Sequence, residues 1–499
     1  MKRRGWLVVE LAALAVVTFG GYWLLWYNQH ALWTNGLTAI STITYPRSGA
    51  NTVAGSDESV RVILFGLAVT VLFAWIVARA PRFARAGLGW LAVAIPLVVA
   101  VALFFTTPTL SIDAYSYLSH GYLAATPGSN PYVDTSASVA PTPFGKEMLA
   151  AGWQAVHPQT PYGPVWTTIE RFAYVLSGGN LYAGILLIKL PVFLAVLGTA
   201  LVIWLFLRRS NPNRALRATL LYLANPLILI ELVGEGHNDG VMAFFLVLAI
   251  FAVSRRWALV AVLALSFAVL VKLNAAPFVI PLAVALIALR HSWSRLIWQT
   301  LVGVVASVGV AVGLMAPYWA GPFTFVGLQA SGTASSGLSV AGILSTVIGF
   351  NGYQVDPNAA AGVQLILVVL LVAGTAAASV LARSARGLVL ACGIVSLIVL
   401  LLLPLEWPWY ATLPAAVLPL EAGVVDIASV FVLTIASRIV APIGDAASLG
   451  VVGTDLFTGT QELLGQTIPA ITGLIMTVRR PIVEALDARR ERREASISA

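Results

Sequence analysis

The chain has 499 residues, 59% of them hydrophobic and only 10% charged, with a formal net charge of +8 and a mean hydropathy of +0.89. A soluble domain of this length carries far more charge, so that class is excluded. Runs of about 20 apolar residues are long enough to cross a bilayer as helices, and lipid forces backbone groups to pair internally. The expected fold class is therefore an all-α integral membrane protein, a polytopic helical bundle.

Hydropathy predicts about fourteen transmembrane helices. In chain order they fall near 6–27, 60–79, 87–106, 182–207, 216–234, 240–254, 257–272, 274–289, 297–317, 361–382, 387–404, 409–422, 424–441 and 462–478. The first follows "MKRRGW" and resembles a secretory signal, but its apolar part is too long, ends in aromatics and lacks an A-x-A site. It reads as a retained helix. Lys189 lies inside a span near its outer end and reads as a snorkelling anchor. Cys392 is the single cysteine and reads as a small buried residue in an apolar span.

Positive charge marks cytoplasmic loops. With the N-terminus cytoplasmic, most of the 29 Lys+Arg fall on the cytoplasmic side: Lys2 to Arg4, Arg79 to Arg85, Arg208 to Arg217, Arg255 and Arg256, Arg290 and Arg295, Arg383 and Arg386, and the tail from Arg479. Both termini are expected inside a plasma membrane, multi-pass. The basic balance is explained by orientation and the tail by contact with anionic lipid, so no nucleic acid is implied.

Two extracytoplasmic loops are long, 107–181 and 318–360. The first carries Pro127, Pro131, Pro141, Pro143, Pro158, Pro161 and Pro164, and should be irregular with short helical turns. The second contains "LQASGTASSGLS", small and polar enough to be mobile.

Polar residues gather at the outer ends of the spans. Asp113, Ser116, Tyr117 and His120 follow one span at i, i+3, i+4, i+7, so one helical face can present all four. Asp113 reads as an exposed carboxylate at the lip. "GEGHNDG" places Glu235, His237, Asn238 and Asp239 between two spans, "VKLN" places Lys272 and Asn274, and "LEWPWY" places Glu406, Trp407, Trp409 and Tyr410. Ionisable residues near lipid are functional candidates when several converge. Glu235, His237 and Asp239 alternate as metal ligands can, but without the H-E-x-x-H spacing; hydrogen bonding to substrate or bundle is the favoured reading, with no cofactor and no metal. Trp407, Trp409 and Tyr410, taken alone, read as interface anchors. Lys272 reads either as an anchor or as a point charge for phosphate, with His237, Asn238 and Asn274 assisting. An acid, a cation and aromatic residues facing one leaflet suit transfer from a lipid phosphate. A donor held by its lipid tail needs no nucleotide-binding domain, and neither G-x-x-x-x-G-K-[ST] nor G-x-G-x-x-G occurs.

Six motifs occur in order: "DAYSY", "GSNPY", "PYGPVW", "NPL…GHNDG", "KLNAAP" and "WPWY". Together they resemble the GT-C polytopic glycosyltransferases that use polyprenyl-phosphate sugars, and within them the actinobacterial polyprenol-phosphomannose-dependent α-1,6-mannosyltransferases. The resemblance covers about 87–422 and implies a GT-C catalytic core there. Residues 1–86 then supply two preceding helices, 423–478 further helices without a motif, and 479–499 a basic cytoplasmic tail.

The resemblance implies that Asp113 is the general base. It would take the acceptor hydroxyl's proton as that oxygen displaces polyprenyl phosphate with inversion, so a β-linked mannosyl donor yields an α-mannoside. The implied partners are a polyprenyl-phosphate-sugar donor, a lipid-anchored mannan acceptor of the lipomannan type and membrane lipids. The implied substrate-binding residues are Tyr117, His120, Asn130, Tyr132, Tyr162, Asp239, Trp409 and Tyr410. Two features depart from the simplest family pattern: two spans precede the core, and no D-x-D pair flanks Asp113. A transferase of another sugar, arabinofuranose or hexose, and a lipid-linked-sugar flippase are the rival readings. Clustering of polar residues on one side of the membrane speaks against the flippase, since transporters place such residues at the midplane.

Overall fold

The computed structural model describes residues 2–23, 52–108, 110–156, 158–333, 339–349, 357–405, 407–440 and 463–481. These residues are helical throughout, joined by turns, and contain no strand. Six of the described helices are long and apolar enough to cross a membrane: Arg4–Tyr22, Ile63–Arg85, Leu181–Leu207, Trp293–Tyr318, Ala361–Ser379 and Ala385–Leu402. A seventh candidate is Pro212–Leu223 with Ile228–Gly234, bent by 56° at the break. Gly89–Phe104, Asp239–Ser254, Ala258–Val271 and Leu273–Leu289 are shorter apolar helices. The predicted 409–422 span is a helical run without a gap that changes type twice, through 3₁₀ Pro408–Ala411, α Thr412–Val417 and 3₁₀ Leu418–Leu420. Pro408, Pro414 and Pro419 lack the amide that a continuous ladder needs.

The elements that carry the site are numbered in chain order: α1 (Gly89–Phe104), α2 (Asp113–Ala125), α3 (Pro143–Ala150), α4 (Pro164–Leu176), α5 (Leu181–Leu207), α6 (Asp239–Ser254) and α7 (Ala258–Val271). Helix α6 packs against α5 and α7 at the centre of the bundle, and α2 packs along α4. Their facing residues, including Ile188, Val192, Leu246 and Ile250, are excluded from solvent.

The 107–181 segment is more ordered than its prolines suggest. Its described residues hold three α-helices and a 3₁₀ turn, Ser136–Ser138, and two of the α-helices start on proline, Pro143 of α3 and Pro164 of α4. The first turn of a helix tolerates the missing N–H, so these prolines start helices rather than break them. Of "LQASGTASSGLS", residues 328–333 are helical within Val326–Thr333, Ser339 lies in a bend, and 334–338 lie outside the described residues. So do Glu406 and the tail from 482.

Lys189 overturns the snorkelling expectation. It is fully buried, and its Nζ donates to Leu103 O at 2.8 Å and Thr106 O at 2.7 Å. These are carbonyls at the C-terminal end of α1, where a cation meets carbonyl oxygens and the negative end of the helix dipole. Glu235 completes the clamp: its Oε2 accepts the amides of Leu110 at 2.9 Å and Ser111 at 3.1 Å. The segment delivering Asp113 is thus fastened at both ends by buried charges from two other elements.

Candidate active site

Asp113, His237, Lys272 and Trp409 each stand at a helix start or in a break. Asp113 opens α2, its amide donating to Ser111 Oγ at 3.1 Å. His237 follows the π-helical turn Ile228–Gly234 and Gly236, whose φ of +80° a side chain would strain. Lys272 ends α7 in extended conformation, φ −153° and ψ 130°. Trp409 sits in the 3₁₀ turn Pro408–Ala411. Breaks free side chains from helical register and are where function concentrates.

These breaks surround a cavity of about 410 Å³, with Asp113, His120, Tyr162, Lys272, Asn274, Trp407, Trp409 and Tyr410 among its lining residues. A second, mostly apolar chamber of about 700 Å³ adjoins it, lined by residues such as Tyr132, Val269, Val312, Met315, Trp319 and Phe325. Pro161, Tyr162, Leu273 and Leu328 line both. The seam is tight because Gly163 donates its amide to Val271 O at 3.1 Å, and a Cβ on Gly163 would meet Leu270 O at 2.1 Å.

Asp113 corrects the exposed-lip expectation, for it is only 6% exposed. Its Oδ2 lies 3.3 Å from His237 Nδ1 and accepts from Tyr117 OH at 3.4 Å. The ring's other nitrogen, Nε2, lies 3.2 Å from Glu231 Oε2. Glu231 in turn pairs with Arg438. The His237 ring stacks on Trp409 with centroids 4.1 Å apart and planes 15° apart, and Trp409 stacks on Trp407 at 5.0 Å. Burial opposes the charge on His237, but the Asp113 and Glu231 carboxylates outweigh it and raise the imidazole pKa to about 9.

Lys272 is buried and does not snorkel. Its Nζ lies 2.8 Å from Asp239 Oδ2, and 4.7 Å from the centroid of the Tyr410 ring. Asp239 is therefore a partner of the lysine, and it is not among the residues lining the polar cavity. Glu235, His237 and Asp239 face different partners, the 110–111 amides, Asp113 and Lys272 respectively.

The face predicted on α2 is partly assembled. Asp113 and His120 reach the cavity, and Tyr117 bonds Asp113 from behind. Ser116 turns away and accepts from Trp153 Nε1 at 3.2 Å. His120 Nδ1 lies 3.4 Å from Glu170 Oε1, while His120 Nε2 has no partner among the described residues. Burial raises the Glu170 pKa, with His120 opposing.

Asn130 is a loop brace that donates to Tyr318 O at 2.8 Å and accepts the Tyr132 amide at 3.0 Å. Tyr132 faces the apolar chamber, its hydroxyl 2.9 Å from Thr167 Oγ1. Asn238 is buried and is not among the cavity-lining residues. Sequence reasoning missed Glu231, Glu170 and Arg438. Each carries a charge inside an apolar or amphipathic run, which was the available signal.

A buried acid, a paired lysine and stacked aromatic rings face one cavity at the breaks of an apolar helical bundle, beside a larger apolar chamber. Apolar helices of spanning length with a cavity at their breaks define the class, a membrane helical protein. The chain belongs to the family described as alpha-(1->6)-mannopyranosyltransferase, N-terminal domain, which matches residues 8–290. It is 30% identical over 185 residues to alpha-(1->6)-mannopyranosyltransferase A of Corynebacterium glutamicum, covering 36% of each chain. It is 32% identical over 145 residues to the protein of that name from Mycobacterium tuberculosis, covering 28% of this chain and 26% of the relative. Alpha-(1->6)-mannopyranosyltransferase B of Corynebacterium glutamicum is 25% identical over 149 residues, covering 30% of this chain and 24% of the relative. The matched segments thus span between about a quarter and about a third of these relatives' length. No solved structure matches the chain.

Proposed function

We propose that this protein is a membrane mannosyltransferase. It moves a mannosyl residue from a polyprenyl-phosphate donor to a lipid-anchored, extracytoplasmic α-1,6-mannan acceptor, with Asp113 as general base and with inversion. The observation that carries this reading is the position of Asp113, in the wall of a cavity with several polar lining groups that shares Pro161, Tyr162, Leu273 and Leu328 with an apolar chamber. The chamber suits a prenyl tail and the polar cavity suits sugars. Lys272 and Asn274 line the polar side of the seam, where a donor phosphate would lie.

In the reaction the acceptor hydroxyl gives its proton to Asp113 as its oxygen bonds the anomeric carbon. The bond from that carbon to the phosphate oxygen breaks, and its electron pair leaves with the polyprenyl phosphate. Tyr117 and His237 hold the carboxylate, while Trp407, Trp409 and Tyr410 offer faces on which sugar rings stack. Names of the relatives support mannose as the sugar and α-1,6 as the linkage. The arginine and lysine bias supports cytoplasmic termini with the site facing outward, and the run of motifs over residues 87–422 supports that stretch as the catalytic core.

The test is transfer in detergent from polyprenyl-phosphomannose to a short α-1,6-mannoside, with the product linkage read by mass spectrometry and glycosidase digestion. An α-1,6-extended product that depends on Asp113 is expected. Absence of product under conditions where the chain is folded and the donor intact would sink the proposal.

A further inference from the structure

Arg438 lies outside the family match, in a C-terminal stretch that carries no recognised motif. Yet its guanidinium, only 5% exposed, pairs with Glu231, which is also buried. Glu231 meets one ring nitrogen of His237 and Asp113 meets the other. The four groups form one chain of alternating charge, carboxylate, imidazole, carboxylate and guanidinium, running from the cavity wall into the bundle.

The chemistry of this chain constrains its protonation. Both carboxylates are acceptors, so a neutral ring would set one bare nitrogen against an oxygen lone pair. An imidazolium places a positive N–H within 3.3 Å of Asp113 and another within 3.2 Å of Glu231, and the charges then sum to zero. The stacked Trp409 ring favours the same cation. The remaining charges nearby are committed elsewhere: Glu235 to the Leu110 and Ser111 amides, Lys189 to the α1 carbonyls, and Lys272 to Asp239. Without Arg438, Glu231 would be a buried carboxylate lacking a full counter-charge. It would then draw the proton from His237, and the ring would release Asp113.

We propose that Arg438 and Glu231, acting through His237, are positioning residues that hold the Asp113 carboxylate oriented toward the cavity, an inference that rests on reading Asp113 as the base. The C-terminal segment then completes the site rather than merely anchoring the chain.

The experiment compares Glu231→Gln, Arg438→Gln and the double variant with wild type and Asp113→Asn, in the full chain in detergent, using polyprenyl-phosphomannose and a short mannoside. Each single variant should lower kcat by on the order of 10²-fold, as a reacting group displaced by near 1 Å does, with donor KM unchanged. The alkaline limb of the Glu231→Gln kcat profile should move to lower pH. The double variant should be no worse than the poorer single, because the groups act as a unit. A folded Glu231→Gln enzyme with near-normal kcat and an unmoved alkaline limb would overturn the relay. If Asp113→Asn is dead while the relay variants stay active, only the relay falls; if Asp113→Asn is active, the base assignment falls with it. ¹⁵N-histidine NMR of wild type, assigned with His237→Gln, needs no fragile variant. A doubly protonated His237 at pH 8 is expected, and a neutral ring there would refute the relay.

Discussion

Lys272 and Asp239 are joined at 2.8 Å, and both are shielded from solvent where α6 begins and α7 ends. The lysine has the Asp239 carboxylate behind it and the cavity before it, where the proposed donor phosphate would lie. Lys272→Met should raise donor KM by about 10- to 100-fold, the worth of a charge-assisted hydrogen bond. It should also cost about 3–5 kcal/mol of stability by leaving Asp239 buried without its counter-ion. Lys272→Met/Asp239→Asn separates the two effects. Thermal stability should recover in the double variant while donor KM stays high. Recovery of both would assign the lysine a purely structural role.

Asp113→Asn retains size and polarity but cannot take a proton. Its kcat should fall by roughly 10²–10⁴-fold, the usual worth of a general base. Because the carboxylate also faces His237, the variant should melt at lower temperature than wild type. Initial-rate kinetics together with scanning fluorimetry check both parts. A stable variant with normal turnover would move the base to another acid.

His237 gives stability a pH signature. Its pKa rises from an ordinary 6.5 to about 9 on folding, so the folded chain holds a proton that the unfolded chain releases. The stabilisation is complete below about pH 6.5 and is lost as pH climbs through about 9. Wild-type Tm should therefore drop between these limits, and His237→Gln should flatten the drop. Equal slopes for the two proteins would contradict the assignment.

Lys189→Met removes the donors to Leu103 and Thr106, each bond from a charged group being worth about 1.5–3 kcal/mol. The segment leading to Asp113 loses a fastening, so kcat should fall more than donor KM rises. Steady-state kinetics on the purified variant test this. A change confined to KM would mean that the clamp serves donor binding instead.

How far the sequence carried depended on what kind of signal each residue leaves. Asp113, Lys272, Tyr162 and Trp409 sit in short motifs at the ends of apolar runs, and all four reach the cavity. Hydropathy marks such ends well, because a polar residue interrupts an otherwise uniform pattern. It does not tell which way a side chain turns. Lys189 was read as reaching for water, whereas carbonyls at the end of α1, distant in sequence, offered it better partners. Asn130 lay in a motif yet braces a loop, because a turn asparagine bonds its own backbone. Glu231 and Arg438 stand 207 positions apart in the numbering, and only the folded chain brings them together. Proline misled in the opposite direction, since its role changes with its place in a helix and spacing alone cannot place it.

The cavity's inner wall is built from groups that already have partners, including Asp113, Lys272 and Trp409. Its outer wall includes Val156, Gln159, Leu328, Ala330 and Ser331, none of them fully buried. On the proposed reading, chemistry falls to the first wall and acceptor contact to the second, and the two carry different mutational risk. A substitution on the inner wall disturbs a connected set of charges. On the outer wall the ties are local, Gln159 to Val133 O and Ser331 to Gly327 O, so on the proposed reading a substitution there changes acceptor fit while the charges around Asp113 stay in place.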